Sequence, residues 1–143
     1  MQVSTKGRYA LRFLLDLAEH RDEGEIPLRG IAERQGISKK YLERIAALIV
    51  PTGMVHASRG KQGGYRLARD PSRITVADVL RVTEGSIAPV SCLGGEIPGC
   101  ERRNICPTLK MWQGLDQVID DYLSGITLQD LLDQYQPIIE YYI

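Results

Sequence analysis

The side chains best suited to metal or redox chemistry in this chain are three cysteines, Cys92, Cys100 and Cys106. They lie in a stretch rich in glycine and proline, and the 143-residue chain has no other cysteine. Structural zinc sites typically use two closely spaced cysteine pairs, which this stretch lacks. Wide, irregular spacing on a glycine-rich loop favours an iron–sulfur cluster, whose irons hold the ligands further apart. A metal-free thiol switch, a zinc site and a loop of inert thiols are the alternatives.

The cysteine stretch connects two helical halves. Residues 86–104 predict a loop, and a long helix is predicted from about Pro107 to residue 123. Pro107 makes Cys106 the residue that enters this helix. Free N–H groups and the dipole at a helix N-terminus favour a thiolate there.

The first half predicts a helix-turn-helix. Ser4 or Thr5 begins a helix that runs to about residue 20, a second helix spans residues 28–35, and Gly36 ends it. Ser38 then begins a third helix with a polar outer face. On the first helix we expect four charged residues on the exposed face: Arg8, Arg12, Asp16 and Glu19.

The start of the third helix is predicted to enter the major groove of double-stranded DNA, where side chains reach base edges. Glu43 is suited to discriminate between sites, because near phosphates a carboxylate is costly unless it accepts from cytosine N4. The candidates are Ser38, Lys39, Lys40, Tyr41, Glu43 and Arg44.

A hairpin wing follows. Strands are predicted at residues 54–58 and 65–68, and the cationic tip between them carries Arg59 and Lys61 for phosphate or minor-groove contact. Thr75 is predicted to cap a fourth helix, with Asp78 completing a capping box.

Charge is divided unevenly along the chain. Residues 1–73 carry 14 Lys and Arg against 8 Asp and Glu, whereas residues 74–143 carry 4 against 10. This division fits a basic half that binds nucleic acid and an acidic half that faces another partner. With no signal peptide and no apolar run long enough to span a membrane, we expect a cytoplasmic protein with reduced thiols.

Together these features predict a mainly α fold with a small β-hairpin wing: a winged helix-turn-helix plus a long C-terminal dimerisation helix. Trp112, Leu115 and Ile119 form an apolar stripe that predicts a homodimer on a pseudo-palindromic operator. The expected division is a DNA-binding domain at residues 1–85, a cluster loop at 86–106, and a dimerisation helix with the C-terminal segment at 107–143.

The sequence resembles the IscR-type winged-helix regulators over nearly its whole length. The resemblance rests on residues 4–11 (STKGRYAL), residues 31–43 (IAERQGISKKYLE), glycines around Arg59 and Tyr65 in the wing, and the cysteine segment before Trp112. It implies a homodimer crossed through the long helix, with an iron–sulfur cluster near the interface that controls repression or activation. Cys92, Cys100 and Cys106 match the cluster ligands, with [2Fe–2S] expected and [4Fe–4S] as the alternative. The residues that match the family's DNA-reading surface are Ser38, Lys40, Tyr41, Glu43 and Arg59.

The fourth ligand is unassigned. IscR-like members often have a histidine where this chain has Leu109, and some nitric-oxide-sensing relatives use an acidic residue from the partner's first helix. The candidates are Glu96, Glu101, an exogenous thiol, or His20 if the partner subunit brings it close.

Two other functions are weighed against cluster sensing. Residues 84–90 and 141–143 resemble the CymR-like branch, which has no cluster and acts by binding a cysteine-biosynthetic enzyme; the three cysteines count against it. An enzyme with Cys100 or Cys106 as nucleophile is disfavoured, because no histidine in the loop could activate the thiol.

Overall fold

A computed structural model of the chain describes residues 2–93 and 101–135. Within these ranges the fold is mainly helical with one small antiparallel hairpin, which confirms the predicted fold class. The elements are α1 (Thr5–Glu19), α2 (Leu28–Gln35), α3 (Lys39–Ile49), β1 (Val55–Ser58), β2 (Gly64–Leu67), α4 (Val76–Glu84), α5 (Leu109–Ser124) and α6 (Leu128–Gln134). Short 3-10 turns follow α1 and α3 and precede α4.

Helix α1 is the central element of the core. The Ser4 side chain caps it by accepting from the Gly7 N–H at 3.1 Å, as predicted. Phe13, Leu14 and Leu17 are fully buried along its inner face. The core also receives apolar side chains from α2, α3, β1, α4 and α6.

The prediction that Asp16 lies on the exposed face of α1 is wrong. Its side chain is buried, and Arg34 of α2 approaches it with an N–O distance of 2.7 Å. The helical period placed Asp16 between polar neighbours, but burial of a carboxylate depends on a partner that the period does not reveal.

Hydrogen bonds join the N-cap of α1 to the last residue of α4. Glu84, the last residue of α4, accepts from the Ser4 N–H at 3.1 Å and from the Ser4 hydroxyl at 2.5 Å. Thr75 and Asp78 form the predicted capping box at the start of α4. The end of α4, where the chain enters the cysteine segment, is therefore tied to the first turn of α1.

Helix α6 returns to the core of the first half. Leu128 is fully buried, and its N–H donates to the Ile74 carbonyl at 2.9 Å. The Val76 N–H donates to the Ile126 carbonyl at the same distance. The division into residues 1–85, 86–106 and 107–143 stays a prediction, and these contacts mean that part of the third segment packs with the first.

Helix α5 begins at Leu109, two residues later than Pro107, and none of its residues is buried within the described part of the chain. Its half-buried side faces α4, since Asp120 pairs with Arg81. Trp112 and Ile119 are half-buried on that side. The exposed apolar stripe is therefore rotated from the predicted one and consists of Met111 (52% exposed), Leu115 (40%), Val118 (64%) and Tyr122 (68%).

Candidate DNA interface and cysteine segment

The helix-turn-helix is formed by α2, a tight turn and α3. Gly36 ends α2 in the left-handed conformation (φ 64°), which glycine adopts without a Cβ penalty. Ser38 then caps α3 by accepting from the Tyr41 N–H at 3.1 Å. Leu42, Ile45 and Ile49 bury the inner face of α3, which leaves the opposite face open to solvent.

The predicted DNA-contacting side chains of α3 are exposed with one exception. Among the described residues no carboxylate lies within ion-pair distance of the basic ones. Their charges are thus available to phosphates. The exposed residues are Ser38, Lys39, Lys40, Glu43 and Arg44.

Tyr41 is the exception, because its ring is half-buried. It packs edge-on against Tyr9 of α1, with ring centroids 5.6 Å apart. The Arg12 guanidinium lies 5.3 Å from the centroid of the same Tyr9 ring. Tyr41 therefore helps to seat α3 on α1, in addition to its predicted contact with DNA.

The wing is a two-stranded antiparallel hairpin in which Ser58 pairs with Gly64. Arg59 and Lys61 are exposed at its tip. Next to this pair, Tyr65 of β2 exchanges two backbone hydrogen bonds with Ile26, at 2.8 and 2.9 Å, which adds an isolated bridge. The strands were predicted at residues 54–58 and 65–68 and occur one residue away from those bounds at three of their four ends.

A surface groove of about 290 Å³ lies between α3 and the wing. Lys39 and Glu43 line one side, and Ser58 and Tyr65 line the other. Arg29, from the first turn of α2, also lines this groove and is 83% exposed. Arg29 was not among the residues predicted to contact DNA, although a basic residue in the first turn of a helix, where the dipole disfavours it, was a usable signal.

Two of the three cysteines lie in the described part of the chain, and Cys100 lies outside it. Cys92 and Cys106 are free, half-buried thiols. Cys106 lies three residues before α5, with its Sγ 3.4 Å from the Thr108 hydroxyl oxygen. The Thr108 side chain, followed by the backbone amides of Thr108 and Leu109, lowers the pKa of the Cys106 thiol below its ordinary value.

Of the candidate fourth ligands, His20 and Glu101 lie in the described part of the chain, and neither belongs to a group there that could hold a metal ion. Within residues 2–93 and 101–135 no three His, Cys, Asp or Glu side chains are grouped so that they could hold a metal ion. His20 lies at the far end of α1, where its Nδ1 is 2.8 Å from the Asp16 carbonyl oxygen. Glu101 is exposed, and Glu96 lies outside the described residues.

No helix within the described residues is both long and apolar enough to cross a membrane.

A helix-turn-helix with an exposed polar recognition helix, followed by a cationic hairpin, defines a winged-helix DNA-binding regulator. The sequence profile of the Rrf2 family, described as an iron-dependent transcriptional regulator, matches residues 3–134. The chain belongs to the Rrf2 family of transcriptional regulators.

The curated relatives include the HTH-type transcriptional regulator IscR of Xenorhabdus nematophila, 41% identical over 92% of this chain and 79% of the relative. Its counterpart in Photorhabdus laumondii is 40% identical over 95% of this chain and 82% of the relative. The resemblance to IscR-type regulators is therefore confirmed.

Solved structures of both branches share the fold. The T. potens IscR structure has a TM-score of 0.73 at 37% identity, covering 96% of this chain and 93% of that one. CymR, the global cysteine regulator of B. subtilis, has a TM-score of 0.77 at 34% identity, covering 95% and 99%. The shared scaffold does not separate the two branches, so the choice between them depends on the cysteine segment.

Proposed function

We propose that this Rrf2-family regulator binds a pseudo-palindromic operator as a homodimer and that an iron–sulfur cluster held by Cys92, Cys100 and Cys106 controls its affinity for DNA. The observation that carries the cluster proposal is the match of residues 3–134 to a family profile described as an iron-dependent transcriptional regulator; the position of Cys106, with its Sγ 3.4 Å from the Thr108 hydroxyl at the entry to α5, agrees with it. The thiolate, not the thiol, is the form that binds iron.

The DNA-reading step rests on two exposed surfaces that line one groove. Lys39 and Glu43 of α3 reach the groove from one side, and the wing closes the other. In this proposal Ser38, Lys40 and Arg44 lie with them in the major groove, while Arg59 and Lys61 contact phosphates or the minor groove. Tyr41 contributes its exposed edge only, since the rest of its ring packs on Tyr9.

The homodimer step rests on the exposed stripe of α5. Its four members follow one another at intervals of four, three and four residues, the spacing that packs two helices along one seam. Such a stripe is too apolar to remain in water on a helix that has no buried residue of its own. Two copies joined along α5 would present two recognition helices to two half-sites.

The cysteine segment suits an iron–sulfur cluster by the chemistry of its donors. Three thiols are soft ligands, and the two that are described are both free and half-buried. When bound, the cluster supplies an oxygen- and nitric-oxide-sensitive group whose presence the protein can report. The chain itself supplies the coupling, because Cys92 follows α4 and Cys106 precedes α5, so a cluster bound to both thiols would constrain both helices.

A metal-free thiol switch of the CymR-like kind is the second candidate. It is favoured by the free state of Cys92 and Cys106 and by the lowered pKa of the latter, since a thiolate is also the form that oxidises. In that case the partner is a cysteine-biosynthetic enzyme or an oxidant instead of iron.

Iron and acid-labile sulfide content, together with visible absorption, separate the two candidates. Protein purified without oxygen is expected to be coloured, to contain iron and sulfide in similar amounts, and to lose its absorption in air. Alanine at Cys92, Cys100 or Cys106 is expected to abolish all three signals while leaving the fold intact. Colourless parent protein that lacks iron and sulfide after anaerobic reconstitution would favour the thiol switch.

A further inference from the structure

The buried carboxylate of Asp16 holds the end of the first helix of the helix-turn-helix. Only 1% of the side chain is exposed. Arg34 donates to both carboxylate oxygens, at 3.0 Å from Nε and 2.7 Å from Nη2, and the Gln35 amide donates a third hydrogen bond at 3.0 Å. Both donors belong to the last turn of α2. One residue of α1 thus fixes the C-terminal end of α2.

Arg12, one turn earlier on α1, binds the same end of α2. Its Nε donates to the Gln35 side-chain oxygen at 3.1 Å, and its Nη2 donates to the Gln35 backbone carbonyl. Carbonyls in the last turn of a helix have no partner within the helix, so Arg12 satisfies one of them. We call Arg12, Asp16, Arg34 and Gln35 the α1 clamp.

The α1 clamp lies beside the turn that sets the direction of the recognition helix. Only Gly36 and Ile37 separate Gln35 from Ser38, the N-cap of α3. A second link runs from Arg12 over the Tyr9 ring to Tyr41 on α3. Side chains that read bases must be held to within about 0.5 Å by their supporting groups, and the clamp is a polar support that lies three residues before the N-cap of α3.

We propose that Asp16 is a positioning residue for DNA recognition: through the α1 clamp it sets the orientation of α3 relative to the wing. This inference rests on the proposed DNA interface of α3 and the wing. It assigns a role in operator recognition to residues that lie outside the DNA-contacting set. A clamp that served stability alone would make the same contacts, but replacing it without loss of stability would leave the affinity for the operator unchanged.

The double variant Asp16→Leu/Arg34→Met distinguishes the two roles. Only Asp16 of this pair is buried, whereas the Arg34 side chain is 40% exposed. Replacing both residues together leaves no unpaired buried charge, so this variant is expected to unfold near the parent temperature. Its affinity for a selected operator is expected to fall about tenfold, equivalent to about 1.4 kcal/mol, while its affinity for random duplex changes little. Parent-like operator affinity in a variant of parent-like stability would overturn the proposal.

The Arg12→Met variant gives an independent readout that leaves the ion pair between Asp16 and Arg34 in place. If Arg12 positions α3, operator affinity falls but the slope of log affinity against log salt stays as in the parent. If Arg12 instead contacts a phosphate, the slope decreases by about 0.9. Should the double variant fail to fold, this variant decides: unchanged operator affinity, or a reduced slope, overturns the proposal. The Arg59→Ala variant tests the DNA interface separately. If it binds every duplex more weakly while operator affinity is unchanged in the clamp variants, the DNA interface stands and only the positioning role of Asp16 fails.

Discussion

At the scale of single residues, the proposed DNA interface combines cations that have no carboxylate partner among the described residues with one exposed carboxylate. We predict that Arg59→Ala lowers affinity for every duplex and reduces the salt slope by about 0.9, because the exposed wing cation neutralises a phosphate. Glu43→Ala is expected to keep overall affinity and relax base preference, because its carboxylate penalises bases other than cytosine. Anisotropy titrations at several salt concentrations, on operator and random DNA, measure both effects.

The Arg69→Ala variant is the control, since Arg69 is an exposed cation whose Nη2 donates to the Thr52 carbonyl. A salt slope that is the same in Arg59→Ala as in the parent would remove the wing from the interface.

The environment of Cys106 predicts a pH effect in the apo protein. The Thr108 hydroxyl is the largest cause of the lowered pKa of Cys106, so Cys106 is expected to be alkylated with a pH midpoint below that of an ordinary thiol. Thr108→Val should move this midpoint upward, and it removes no helix cap, because the Thr108 side chain makes no capping hydrogen bond.

The measurement uses a background in which Cys92 and Cys100 are serine, so that one thiol reacts. Parent and variant midpoints that coincide would mean that Thr108 does not stabilise the thiolate.

At the scale of elements, the wing depends on a close backbone approach at Gly64. A Cβ at this position would lie 2.5 Å from the Ile26 carbonyl carbon and 2.9 Å from the Pro27 nitrogen. We predict that Gly64→Ala lowers the free energy of unfolding by about 1–3 kcal/mol, because backbone must move to admit the methyl group. Denaturant unfolding measures the loss. Gln62→Ala, at the exposed wing tip, is the control and should change stability by less than about 0.5 kcal/mol.

Local sequence signals predicted the helices and strands well. Where the structure differs from the prediction, contacts between residues far apart in the chain are the cause. Ser38 and Thr75 are N-caps whose hydrogen bonds span only a few residues, so their helices could be predicted from the sequence alone. Asp16 could not be placed, because its partner Arg34 is 18 residues away on another helix. Likewise, which apolar side chains of α5 stay exposed depends on which side of the helix α4 covers. The sequence of α5 alone does not show that side.

At the scale of the whole molecule, the exposed stripe of α5 is the surface that we propose for a second copy. We predict that Val118→Glu yields monomers, because it places a charge in the exposed stripe where Val118 is 64% exposed. Operator binding is expected to weaken as the two half-sites become independent. Sedimentation velocity at micromolar concentration measures the state. Gln113→Glu adds the same charge to another exposed side of α5 and should remain a dimer; a dimeric Val118→Glu protein would exclude the stripe as the interface.

The whole-molecule arrangement also explains why the cysteine segment could control DNA binding. It leaves α4, whose last residue holds the start of α1 through Ser4, and it enters α5, which pairs with α4 through Arg81 and Asp120. A cluster bound to the cysteine segment is therefore expected to act both on α1, which supports the recognition helix, and on α5, the proposed dimer helix. In this proposal the protein exchanges between an arrangement that binds the operator and one that does not. A cluster can shift this equilibrium only by the difference in its affinity for the two arrangements.

The most direct test is the affinity of three forms of the protein for one selected operator at fixed salt: cluster-loaded parent, apo parent and Cys106→Ala. We predict that cluster-loaded and apo parent differ by about fivefold or more, the usual size of a coupling between sites. Cys106→Ala is expected to remain dimeric and to bind with the affinity of the apo parent whether or not iron and sulfide are supplied. Equal affinity for all three forms would mean that the cysteines do not control DNA binding, and would contradict the proposed sensor.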